Sequence, residues 1–190
     1  MRINEIFYSI QGEGHFAGTP AVFVRFSGCN LACVFCDTKH QSFTEMTEDE
    51  IIAKVSQYPT HHVVITGGEP MLQLTSSLVE KLHGQGKFVQ IETNGTQPLP
   101  PNCHIDWITC SPKYRPVLLH HIDELKVVYQ TPPQDMSQYG KLKASVYSLQ
   151  PCDVADPAVN AQTIQNAFNY CLQHPKWHLS LQIHKLINVR

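Results

Sequence analysis

No stretch of this sequence is long and apolar enough to cross a bilayer, and no run of like charge, repeat or low-complexity segment interrupts it. The missing apolar run excludes a membrane-spanning helix. With a formal net charge of −2 and no basic block, nothing here calls for a nucleic-acid backbone as partner. The expected partners therefore include neither nucleic acid nor membrane. The opening MRINEIFYSIQGEG carries Glu5 early and lacks an apolar run before a small-residue cleavage site, so it does not read as a signal peptide. The expected compartment is the cytoplasm, where the seven cysteines serve as thiols, metal ligands or redox groups and not as a disulfide framework. Charged residues are only 16% of the chain against 42% hydrophobic, a globular and not a disordered composition. The 190 residues suit one domain, taken as 1–190.

Apolar runs recur between turn signals. Ala21 to Phe26 reads as a buried strand ending at Gly28-Cys29. Thr47 and Glu50 form a capping box that opens a helix with Ile51, Ile52 and Val55 on its apolar face. His62 to Thr66 is a strand ending in Gly67-Gly68. A helix with Leu74, Leu78, Val79 and Leu82 follows and stops near Gly84 and Gly86. Further strands are expected at Phe88 to Glu92, Trp107 to Thr109, Leu125 to Tyr129 and Val146 to Leu149. A helix from about Ala161 to Leu172 should turn Ile164, Ala167, Phe168 and Cys171 inward. The last expected strand is Leu179 to Ile183. This alternation predicts an α/β fold with a parallel sheet of about six strands and about three helices. An eight-fold barrel usually needs more than about 200 residues, so an open, partial barrel fits better.

Cys29, Cys33 and Cys36 stand in a C-x3-C-x2-C pattern just after the first of these strands. A loop with this spacing can wrap three sulfurs around one corner of a cubic iron–sulfur cluster. Such clusters usually have four cysteine ligands, so three leave one iron open to a substrate or cofactor. Two other chemistries use parts of the same loop. Cys33 and Cys36 alone make a redox C-x-x-C pair, and with His40 the three cysteines make a Cys3His zinc site. Cys103, Cys110, Cys152 and Cys171 are not assigned to the cluster; Cys171 reads as a small core hydrophobe.

The cysteine loop, together with Thr66-Gly67-Gly68-Glu69-Pro70, resembles the radical S-adenosylmethionine (SAM) superfamily. A narrower resemblance covers nearly the whole chain and is to the 7-carboxy-7-deazaguanine synthase family. It is carried by Glu5 to Gly14, Arg25, Cys36-Asp37-Thr38, Glu92-Thr93-Asn94-Gly95, Ser111-Pro112-Lys113, Gln150-Pro151 and Gln182-Ile183-His184-Lys185. The resemblance implies a partial radical SAM barrel, a 4Fe–4S cluster on Cys29, Cys33 and Cys36, and SAM bound at the open iron. It implies a small pterin substrate, 6-carboxy-5,6,7,8-tetrahydropterin, whose ring is contracted to 7-carboxy-7-deazaguanine with loss of ammonia in queuosine and 7-deazapurine biosynthesis. No catalytic side chain is assigned, because the difficult step belongs to the cofactor.

The same resemblance implies roles for particular residues. Phe35, Cys36, Asp37, Gly68, Ser111, Pro112, Lys113, Gln150, Pro151, Cys152 and Asp153 would bind SAM. Ile10, Gln11, Gly12, Glu13, Arg25, Thr66, Glu92 and His184 would bind substrate, with the terminal carboxylate of Arg190 folded into the same pocket. Arg25 suits the substrate carboxylate, and a carboxylate such as Glu92 suits the N–H donors of the aminopyrimidinone edge. Thr38 would coordinate Mg2+, which keeps several waters and can share a carboxylate with the substrate. A homodimer and a flavodoxin- or ferredoxin-type electron donor are further expectations. The competing readings are a radical SAM activase that makes a glycyl radical on a partner protein, and the zinc module on Cys29, Cys33, Cys36 and His40.

Overall fold

The structure, a computed structural model, describes residues 1–39 and 41–189. Its centre is one nine-stranded sheet in the order β3-β1-β2-β4-β5-β6-β7-β8-β9. The strands are β1 (Arg2–Ile10), β2 (Pro20–Phe26), β3 (Thr44–Glu45), β4 (His62–Gly67), β5 (Phe88–Thr93), β6 (Trp107–Cys110), β7 (Glu124–Tyr129), β8 (Val146–Pro151) and β9 (Trp177–Leu179). From β2 onward every neighbouring pair is parallel, whereas β1 runs antiparallel to both β2 and β3. The helices are α1 (Glu48–Val55), α2 (Ser76–Gly84), α3 (Pro157–Gln173) and the short α4 (Ile183–Leu186). The sheet stays open: β3 and β9 are its two edges. No helix among the described residues is long and apolar enough to cross a membrane.

Strand alternation sorts the two faces. Val22, Val24, Phe26, Val63, Ile65, Val89 and Ile91 pack with Ile51, Val55, Leu78, Val79 and Leu82 of α1 and α2. Leu125, Val127 and Leu149 pack with Ala167 of α3 and Trp177. The intervening residues face the other way and are largely polar. They include Arg25, Thr66, Gln90, Glu92, Thr109, Glu124, Lys126, Ser148 and Gln150. This face is buried, so its polar groups must find one another. One row does so across five strands. His62 Nε2 meets Gln90 Oε1 at 2.8 Å, Gln90 Nε2 donates to Thr109 Oγ1 at 3.2 Å, Thr109 Oγ1 donates to Glu124 Oε2 at 3.0 Å, and Ser148 Oγ donates to Glu124 Oε1. This ladder is the floor on which the site stands.

α1 begins as expected: Thr47 Oγ1 accepts from the Glu50 N–H, and the Glu50 carboxylate accepts from the Thr47 N–H. α2 buries Leu78, Val79 and Leu82, with Leu74 buried just before it. Three expectations need correction. Ile164 and Phe168 of α3 are exposed, while Thr163 and Ala167 are buried and Cys171 is half-buried. The inward ridge is the neighbouring one, pinned where Thr163 Oγ1 meets Thr131 Oγ1 at 2.9 Å. The last strand ends at Leu179, and Ile183 already belongs to α4. Past Leu179 the backbone turns away to hold the Gln11–Gly18 loop: the Gly14 N–H donates to Ser180 Oγ at 2.8 Å, and the Ile183 N–H to Gly12 O at 2.9 Å. Finally, β1 was not anticipated. It buries little beyond Ile3, so it carries no strong apolar alternation.

Candidate active site

A cavity of about 670 Å³ opens at the carboxyl ends of the parallel strands, above the polar ladder. This is where open α/β sheets place their ligand sites. It is lined by Cys29, Cys33 and Cys36, by Phe35, Asp37, Thr38, Gly68, Ser111 and Lys113, and by Gln150, Pro151, Cys152 and Asp153. Ile10, Gln11, Gly12, Glu13, Arg25, Thr66, Glu92 and His184 line it too. Of the residues expected at the site, Pro112 is buried and does not line the cavity. Arg190 and His40 lie outside the described residues.

The cysteine loop leaves β2 at Phe26. A turn in which the Cys36 N–H donates to Cys33 O at 3.1 Å puts these two thiols on one side. Cys29 Sγ accepts from the Leu31 N–H at 3.4 Å. The loop is braced from outside. Asn94 Nδ2 donates to Asn30 Oδ1 at 3.1 Å, Asn30 Nδ2 donates to Thr96 Oγ1 at 2.8 Å, and the Ala32 N–H donates to Tyr114 Oη at 3.0 Å. The Gly67-Gly68 turn packs directly beneath it. Gly67 has φ +147, and a methyl group on Gly68 would collide with the Gly28 carbonyl. Glu69 closes the turn from below. Fully buried, it accepts from Thr93 Oγ1 at 2.8 Å, the Asn94 N–H at 2.8 Å and the Met71 N–H at 3.0 Å. Burial pushes its carboxyl above the usual carboxylate range, against the pull of those donors.

These residues fit an iron–sulfur cluster with one open iron. One loop supplies three thiols where a fully ligated cluster takes four, and the backbone of the glycine turn is bare beside them. Cys152, the residue after β8, lines the same cavity. The neighbouring Gln150 Oε1 is buried and takes no hydrogen bond from any described residue. An orphan acceptor at a cavity wall suits a ligand's N–H or O–H. Lys113 stands 5.7 Å over the Phe35 ring. Burial, aided by the charge of Lys126, pulls its ammonium below the usual lysine range.

The opposite side of the cavity holds an ion cluster centred on Lys126, which the sequence did not single out. Its Nζ lies 2.6 Å from Glu13 Oε2 and 3.3 Å from Glu92 Oε1. Gln11 Nε2 donates to Glu92 Oε1 at 2.9 Å, and Gln182 Nε2 to Glu13 Oε1 at 2.7 Å. Burial alone would raise the Glu13 pKa, but the Lys126 charge and these hydrogen bonds bring it down to about 2. The Lys126 ammonium is held above the usual range, its own burial overcome by Glu13 and Glu92. Arg25 is partnered by Glu5 at 2.9 Å. Gly12 sits so close beneath the His184 ring that a side chain there would displace it. Lys185 ties the two rims together, reaching Asp37 at 3.1 Å and Asp153 at 2.7 Å.

Comparison with known proteins agrees with this geometry. Residues 23–126 match the family described as Radical SAM superfamily. The 7-carboxy-7-deazaguanine synthase of Bacteroides thetaiotaomicron is 54% identical over 190 residues, covering 100% of this chain and 98% of that protein. That of Bordetella pertussis is 43% identical over 210 residues, covering 98% of each. The crystal structure of QueE from Escherichia coli superposes with a TM-score of 0.80 at 28% identity, covering 95% of this chain and 93% of that one. Match, identity and coverage together establish that the chain belongs to the radical SAM superfamily and, within it, to the 7-carboxy-7-deazaguanine synthase family.

Proposed function

We propose that this chain converts 6-carboxy-5,6,7,8-tetrahydropterin to 7-carboxy-7-deazaguanine with loss of ammonia, as one catalytic domain spanning residues 1–190, in the cytoplasm. As a radical SAM protein it uses a 4Fe–4S cluster and SAM. When bound, these supply a carbon-centred radical that takes hydrogen from the substrate. The observation that carries the reading is one cavity with two unlike walls: three thiols and a bare glycine turn on one, a guanidinium and two carboxylates on the other. The synthase name is shared by relatives matching the whole chain, which disfavours a glycyl-radical activase and a zinc module.

The chain's own part is to bind and orient. Cys29, Cys33 and Cys36 hold the cluster. Gly68, Ser111, Lys113 and Gln150 to Asp153 cradle SAM, with Phe35 against its adenine side. Arg25 receives the substrate carboxylate. Glu13, kept ionised by Lys126, and Glu92 beside it accept the N–H donors of the aminopyrimidinone edge, and His184 over Gly12 closes that end. The protein acts as a homodimer and takes electrons from a flavodoxin- or ferredoxin-type donor. The deciding experiment is mass spectrometry after incubation with 6-carboxytetrahydropterin, SAM and a reductant. 7-Carboxy-7-deazaguanine is expected; 5′-deoxyadenosine without it would reject the substrate.

Thr38 is the proposed protein ligand of Mg2+. It is half-buried on the cavity rim beside Asp37, and its hydroxyl donates to Asp37 Oδ1 at 3.4 Å, a long contact that a cation could replace. Wild-type turnover should rise with Mg2+. Thr38→Ala should flatten that response while its iron content stays unchanged. An undiminished Mg2+ response in Thr38→Ala rejects this ligand.

A further inference from the structure

We propose that His83, His104 and Asp106 form a binding site for one divalent transition-metal ion of the zinc class, separate from the cavity. His83 belongs to the last turn of α2, and His104 and Asp106 to the segment that leads into β6. One ligand atom from each lies within 4.8 Å of the others. Two imidazoles and a carboxylate are the donors that zinc takes with a water in the fourth position. Tetrahedral bonds of about 2.0–2.2 Å set donors roughly 3.3 Å apart, so closure needs an approach of up to about 1.5 Å. His104 is exposed, its ring centroid 5.9 Å from that of His83. The other two are already placed. His83 Nε2 meets Asp106 Oδ2 at 2.8 Å, and the Val89 N–H donates to the same oxygen at 2.7 Å. The Asp106 N–H returns a bond to Val89 O at 3.1 Å. Both of these hydrogen bonds fall on Oδ2, and the β5 backbone orients the carboxylate as ligand carboxylates usually are oriented.

The site lies at the amino ends of β5 and β6, while the cavity lies at their carboxyl ends. Its role follows from that position. A metal there staples α2 to the segment entering β6 and contributes to stability, not to turnover.

The test uses reconstituted holoenzyme, so that the cluster thiols are occupied. Zinc is titrated in, and bound metal is counted after equilibrium dialysis. One zinc beyond the cluster iron is expected, with the thermal midpoint raised by roughly 5–10 °C at zinc a hundredfold over Kd. His104→Ala and His83→Ala should each weaken binding about tenfold or more. Because His104 is exposed, its variant keeps the fold, which unchanged SAM cleavage verifies. Cys103→Ala, in the same segment, should bind zinc normally. No zinc beyond the cluster, or equal binding in His104→Ala, overturns the site.

Discussion

Cys29→Ala, Cys33→Ala and Cys36→Ala should each abolish reductive cleavage of SAM, with a loss of cluster iron from about four per chain in the reconstituted wild type. Different constraints bring the three thiols to the wall of one cavity. Cys33 and Cys36 share a hydrogen-bonded turn, and Cys29 is fixed against the Gly67-Gly68 turn, where Gly68 already touches the Gly28 backbone. No other described cysteine sits in that loop. Cys152 is the one described competitor, because it lines the same cavity from just past β8. It stands outside the Cys29–Cys36 loop, in the Gln150 to Asp153 stretch proposed to cradle SAM. Cys152→Ala, Cys103→Ala and Cys171→Ala should therefore keep their iron. Iron and sulfide analysis with a 5′-deoxyadenosine assay reads both sets. Normal cleavage in any of the first three variants would sink the cluster assignment.

The second large effect is expected at Lys126. Its ammonium is the only described cation in contact with Glu13 and Glu92. Removing it in Lys126→Met leaves two carboxylates buried without their partner. Breaking such a pair costs about 3–5 kcal/mol. Turnover of the pterin should fall about a hundredfold or more, since the recognition carboxylates lose their charge or their place. Cleavage of SAM without substrate should persist. The pH dependence gives a sharper signature. In wild type the folded Glu13 pKa is depressed from 4.5 to about 2, so its stabilisation is complete above 4.5 and is lost as pH falls from there through about 2. In Lys126→Met burial, the largest influence, is opposed only by Gln182 and His184, so that pKa should rise. The variant should then gain stability relative to wild type as pH drops from 7 toward 5, since Glu13 in wild type does not titrate in that window. Urea denaturation at several pH values distinguishes them; parallel profiles would mean that Lys126 does not control Glu13.

What could be read from the sequence follows the range of each signal. The cysteine loop and Thr66-Gly67-Gly68-Glu69-Pro70 were legible because their chemistry is local: spacing alone sets where sulfurs and bare backbone fall. The parallel strands were legible from short apolar runs between turn residues. Arg25, Glu92 and His184 came from family resemblance, since taken singly each looks like an ordinary polar residue. Lys126 was missed for the same reason and had no motif to carry it. Its partner Glu13 is 113 positions away, and a lysine within Glu124–Tyr129 reads as a strand residue reaching for solvent. Its alternation with Leu125 and Val127 was the available signal: the inward face of a buried strand held a charge. α3 failed differently. Ile164, Phe168 and Leu172 form as good an apolar stripe as the buried ridge, and periodicity cannot say which of two stripes meets the sheet.

The bonds from Gly12, Glu13 and Gly14 to Ile183, Gln182 and Ser180 also order events in time. Gly14 and Ser180 are 166 positions apart. At about 5–20 residues per second, a ribosome takes roughly ten to thirty seconds between the two. Through that interval the first strands can pair, because β1, β2 and β4 need no later residue. The Gln11–Gly18 loop cannot settle, and Lys185 has not yet bridged Asp37 to Asp153. The nascent chain thus carries Cys29, Cys33 and Cys36 on a half-built sheet before the Gln11–Gly18 side of the cavity is fixed.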